Sequence, residues 1–123
     1  MAIPKFKEPI VYCDCDDTLV MWGAYPYHPE GEFCMEFEDP VTHGTLYLKI
    51  NKKQVDQLKE HKIRGHTIIV WSAGGADWAQ EVVRQCGLSG VVDAVMSKPD
   101  WFYDDIPASE FMPEDKRKHF PNG

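Results

Sequence analysis

The chain has 123 residues, is 43% hydrophobic and 27% charged, and carries a formal net charge of -7. That length can bury a core without disulfide help, and a single domain over residues 1–123 is the expectation for such a composition. The acidic balance argues against a nucleic-acid backbone or an anionic membrane as main partner, and no apolar run approaches a membrane-spanning length.

Residues 1–9 hold two prolines and several charges and read as a lead-in loop; they show no signal-peptide core, so the expectation is a cytoplasmic protein. Ile10-Val11-Tyr12-Cys13-Asp14 reads as a buried strand that runs into the carboxylates Asp14, Asp16 and Asp17. Carboxylates that crowded repel one another, and a hard cation with oxygen ligands is the usual offset. Residues 19–31 are loop-like, rich in aromatics, proline and glycine. Trp22, Tyr25, Tyr27 and His28 there either pack the segment onto the body or stack on a ligand. The alternating stretches 32–37 and 45–50, separated by Asp39-Pro40 and His43-Gly44, predict a β-hairpin with a longer loop.

Asn51 is placed as the cap of an amphipathic helix over 52–62, with Val55, Leu58 and Ile63 on its apolar side. Thr67 to Trp71 is an unbroken apolar run typical of a buried parallel strand, ending at Ser72-Ala73-Gly74-Gly75. A second helix follows over 76–86, burying Trp78, Ala79, Val82, Val83 and Cys86, with Gly87 closing it. Residues 91–96 read as a third strand, 97–100 as a turn, and Trp101-Phe102-Tyr103 as a short fourth strand ending in Asp104-Asp105. The tail, 107–123, is polar, with one helical turn near Ser109 to Met112. Lys116-Arg117-Lys118-His119 reads as a solvated tail, and His61 and His66 as surface residues.

The four cysteines lack C-x-x-C spacing and read as reduced thiols; a zinc site from Cys34, His28 and His43 fits no common pattern. The alternation of strands and helices predicts an α/β, Rossmann-like fold with a mainly parallel sheet, flanking helices and a β-hairpin flap over 19–50. In such sheets ligands sit at the carboxyl ends of the strands. Those ends hold Asp14 and Asp16, Ser72, Lys98, and Asp104 with Asp105, all suited to metal and phosphate chemistry.

This pattern resembles the haloacid dehalogenase superfamily of phosphohydrolases, in particular its small uncapped members, some of them phage-encoded. The residues that carry the resemblance are Asp14-Cys15-Asp16-Asp17-Thr18 as D-x-D-x-T, Ser72, Lys98 and Asp104-Asp105, in that order. It implies a Mg²⁺-dependent phosphatase working through an aspartyl phosphate. Asp14 would be the nucleophile and Asp16 the acid and base. Ser72 would bind a phosphoryl oxygen and Lys98 would neutralise charge. Thr18 would orient, and the main-chain N–H groups of Ala73 and Gly74 would help bind phosphate. Asp14, Asp16, Asp104 and Asp105 would hold Mg²⁺. The implied partner is a small phosphorylated substrate such as a nucleotide, with nucleic acid only as a phosphorylated end.

Two departures from the pattern stand out. Asp17 replaces the usual glycine or tyrosine, with its side chain expected to point away from Asp16. Five residues separate Lys98 from Asp104, too few for a helix, which leaves Asp100 as an alternative ligand. With no large cap the site is open, and the aromatic flap raises the expectation of a homodimer. The competing reading is a non-catalytic metal- or nucleotide-binding module on the same fold. A receiver domain is disfavoured because Ser72 stands where the acceptor carboxylate belongs. A calcium loop starting at Asp14 is disfavoured by Leu19 and Tyr25 at its glycine and glutamate positions. The D-x-D-D string of terpene cyclases belongs to large all-helical proteins.

Overall fold

A computed structural model describes residues 7–110 and Met112. It is a mixed α/β structure. Its first sheet is parallel and joins β1 (Ile10–Asp14), β5 (Thr67–Ser72) and β6 (Ala94–Ser97), with β5 in the middle. Its second is antiparallel and joins β2 (Val20–Met21), β3 (Cys34–Glu38) and β4 (Thr45–Ile50), with β4 in the middle. The helices are α1 (Lys52–Ile63) and α2 (Ala76–Gln85), and Ala108–Glu110 forms one 3₁₀ turn.

The register of the parallel sheet sets the rim. Asp14 lies opposite Trp71, and Ser72 opposite Ser97, so the ends of all three strands share one edge. β5 alternates half-buried and buried residues, with Ile68, Val70 and Ser72 fully covered. The hydrophobic core includes Ile68 and Val70 of the parallel sheet, Phe37 and Leu48 of the antiparallel sheet, Leu58 of α1 and Val82 of α2. Asn51 caps α1 with its side-chain oxygen and donates its amide to the Thr18 carbonyl at 3.0 Å. One residue thus ties the helix to the loop after β1.

The structure corrects several sequence expectations. Trp101-Phe102-Tyr103 is not a strand: it is coil, with Trp101 80% and Tyr103 92% exposed. Topology supplies the reason. A further parallel strand needs a crossover of about a dozen residues, and only Lys98, Pro99 and Asp100 separate β6 from Trp101. β6 also begins at Ala94 rather than at residue 91. Asp93, just before it, donates its N–H to the Ile68 carbonyl, and its carboxylate accepts from Ile68 N–H (2.8 Å) and Lys62 (2.7 Å). Ile63 is 86% exposed and adds nothing to the apolar side of α1, while Val55 and Leu58 are buried as expected. Residues 19–31 contain the short strand β2, held by pairing of Val20 with Ile50 and Met21 with Lys49. The basic cluster 116–119 lies outside the described residues. Among the described residues no helix is long and apolar enough to cross a membrane.

Candidate active site

The site begins where β1 stops. Just beyond Asp14 the Cys15 carbonyl accepts N–H groups from Thr18 (3.2 Å), Leu19 (2.8 Å) and Val20 (3.1 Å). Three bonds to one carbonyl wind residues 15–20 into a compact turn, with Asp17 in the left-handed region at φ 58. Aspartate tolerates that conformation better than most side chains. The winding leaves Asp14 at the strand end and turns Asp16 toward the end of β5.

Asp14 pairs with Lys98: the ammonium lies 3.2 Å from Asp14 Oδ1, with the two side chains 33% and 36% exposed respectively. Lys98 is placed by the sheet, because its N–H extends the ladder to the Ser72 carbonyl at 2.9 Å. Its ammonium also lies 5.9 Å from the ring centre of half-buried Trp71, which packs on Tyr12. The sheet thus brings Lys98 beside Asp14.

Asp16 is held from three directions. The indole N–H groups of Trp22 and Trp78 each donate to Oδ1 at 2.9 Å. The Ser72 hydroxyl donates to Oδ2 at 3.1 Å. Trp22 follows β2, Trp78 sits in the first turn of α2, and Ser72 ends β5, so three separate elements meet on this carboxylate. An indole N–H only donates, whereas a hydroxyl both donates and accepts. The Trp22 and Trp78 rings touch, with centres 6.1 Å apart, and Trp78 also packs on Phe37.

The loop Ser72–Gly75 departs from what the sequence suggests. The Gly74 N–H, expected to bind phosphate, donates instead to Ser72 Oγ at 2.9 Å, and the Gly75 N–H donates to the Ser72 carbonyl. Buried Ser72 thus organises its own turn and Asp16 at once. Gly75 opens α2 at φ 108 without a side-chain cap, and Ser97 of β6 supplies one by accepting the Ala76 N–H at 2.9 Å. Ala73 is exposed beside this turn. Thr18 contributes through its main chain, to Cys15 and Asn51.

A cleft of about 530 Å³ opens beside Asp16, bordered by Gly74 and Trp78 on one side and by Asp39, Pro40 and Val41 of the β3–β4 connection on the other. Asp17 lines it together with Asp16. Asp17 Oδ1 accepts the Trp22 N–H at 3.0 Å. Asp39 lines the cleft too; main-chain N–H groups of Thr42 and Val41 bond its carboxylate and lower its pKa.

Asp104 and Asp105 are exposed and share a side-chain hydrogen bond, which lowers the pKa of Asp104 and raises that of Asp105. Among the described residues no three histidine, cysteine, aspartate or glutamate side chains converge as a metal-ion site. Asp100 is exposed in the same connection. His43 meets Glu38, His28 meets the Pro29 carbonyl, and Cys34 meets the Glu32 carbonyl.

Sequence reasoning missed the roles of Trp22 and Trp78. Trp78 was assigned to the core, and it is 6% exposed, but a buried indole N–H needs an acceptor and Asp16 is that acceptor. It also missed Glu81, buried on α2, which accepts the Glu38 N–H of β3 at 2.6 Å. Burial pushes the Glu81 pKa up, but hydrogen bonds from Glu38, Arg84 and Gln85 outweigh it and the net shift is downward. Compared with known proteins, the chain matches no family model, no curated protein and no solved structure.

Proposed function

We propose that the chain is a phosphomonoesterase with Asp14 as nucleophile. The observation that carries this reading is the pairing of Lys98 with Asp14 at 3.2 Å on the same rim where Asp16 is fixed by Ser72. Lys98 engages Oδ1 of Asp14 and leaves Oδ2 to attack phosphorus. As that oxygen–phosphorus bond forms, the bond to the leaving alkoxide breaks, and Asp16 as general acid delivers a proton to the alkoxide. Water then attacks phosphorus, returns a proton to Asp16, and releases inorganic phosphate and the Asp14 carboxylate. An anionic nucleophile approaches an anionic phosphate only where positive charge offsets both, and Lys98 supplies part of it. The antiparallel sheet would serve as a flap, its β3–β4 connection overhanging the cleft.

The test is hydrolysis of an aryl phosphate with and without Mg²⁺, for the natural chain and Asp14→Asn. Turnover lost at least 10³-fold in Asp14→Asn is expected. Turnover that survives would falsify the assignment of the nucleophile. The exposure of Asp104 and Asp105 in coil favours a second reading, a non-catalytic binding module. Metal or ligand binding without turnover of any phosphate ester would support that alternative.

A further inference from the structure

Resting on the phosphatase reading, we infer that the cleft beside Asp16 takes a leaving group bearing a cationic nitrogen, so that the substrate is a phosphomonoester of an amino alcohol such as an alkylammonium alcohol. Position comes first. Asp16 is both the group that would protonate the leaving oxygen and a wall of the cleft, so the leaving group runs from Asp16 into that space.

Charge comes second. Asp16, Asp17 and Asp39 line the cleft, and among the described residues no lysine, arginine or histidine does. A second phosphate, as in a nucleotide diphosphate or a nucleic-acid end, would meet only like charge there. A cation would meet attraction from Asp17 and Asp39 even while Asp16 carries the proton it is to deliver.

Shape and surface come third. The N–H groups of Trp22 and Trp78 are directed at Asp16, so their rings offer the cleft carbon and π surface. The two rings are tilted by 53° and in contact, which leaves no slot for a flat base between them. Tryptophan faces are the best aromatic partners for a cation, and for alkylated ammonium groups above all. Leu46 adds an apolar wall that suits methyl or methylene groups around the nitrogen.

The experiment compares phosphocholine with 3,3-dimethylbutyl phosphate, in which carbon replaces the nitrogen, beside an aryl phosphate and a nucleoside monophosphate. We expect kcat/KM for phosphocholine to exceed that for its carbon isostere roughly ten-fold, the scale of one partly desolvated cation–π contact. Asp39→Asn should narrow that ratio. Equal values for the two esters, or preference for the nucleoside monophosphate, would overturn the inference while turnover of the aryl phosphate left the phosphatase reading standing. Choline alone provides a readout independent of catalysis. It should quench tryptophan fluorescence at concentrations where 3,3-dimethylbutanol does not, and Trp22→Phe should weaken the effect. Indistinguishable responses to the two alcohols would count against the cation site even if no ester were hydrolysed.

Discussion

Replacing Trp78 by Phe tests whether the Asp16 cluster holds the site together. The change removes one N–H directed at Asp16 Oδ1 at 2.9 Å and trims a ring that is 6% exposed and packed on Phe37 and Trp22. A hydrogen bond to a charged group contributes roughly 1.5–3 kcal/mol. Here the lower end applies, because Trp22 and Ser72 still hold the half-buried carboxylate and water can reach it. The lost ring volume adds about 1 kcal/mol, a fraction of a full Trp→Ala truncation. The sum, about 2.5 kcal/mol, corresponds to a fall in Tm on the order of 10 °C for a chain of this size. Urea unfolding of Trp78→Phe, Asp16→Ala and the double variant gives the coupling of the pair, since the Trp22 and Ser72 donors left unpaired by Asp16→Ala are common to both arms. A coupling energy of about 1.5 kcal/mol is expected. A value within about 0.5 kcal/mol of zero, the scatter of independent sites, would show that the bond does not stabilise the fold.

A methyl group at Gly74 would lie 3.3 Å from both Ser72 Oγ and Trp78 Cδ1. Gly74→Ala should therefore displace two of the donors to Asp16 and destabilise by about 1 kcal/mol, at the low end for overpacking; an unchanged denaturation midpoint would contradict this. His61 and His66 face each other through Nδ1 atoms 2.9 Å apart, and burial first, then the neighbouring His66 charge, lowers the pKa of His61. A histidine held below its unfolded pKa favours the fold above about pH 6.5 and loses that contribution as pH falls through the folded value. Tm should thus drop between pH 7.5 and 5.5, and the drop should shrink in His66→Gln. Burial pushes the Cys13 and Cys86 thiols up to about 12, and raises that of Cys15. At pH 8 a thiol reagent should modify half-buried Cys34 first and the other three only on unfolding; rapid reaction of all four in the folded protein would count against the buried positions.

Much of the backbone was legible because each segment could state its own case. The run Thr67 to Trp71 has no polar residue between its ends, and only a covered strand accommodates that. Asn51 stands just before an amphipathic stretch, and it caps α1 as that position demands. The Lys98–Asp14 contact followed from two strands that end on one rim. What the sequence did not disclose depends on neighbours brought in from elsewhere. Trp101-Phe102-Tyr103 has the composition of a strand, but its connection is too short to carry it back across the sheet. Val20 and Met21 are strand only because β4 runs beside them. The grip of Trp22 and Trp78 on Asp16 joins residues six and sixty-two positions away, and no local pattern announces it.

The cap that Ser97 lends to Ala76 has a mechanical consequence. Ser97 precedes Lys98, and Ala76 begins the turn that carries Trp78, so the cation beside Asp14 and the indole on Asp16 are fastened to a common joint. Loosening that joint would disturb the partners of both carboxylates at the same time.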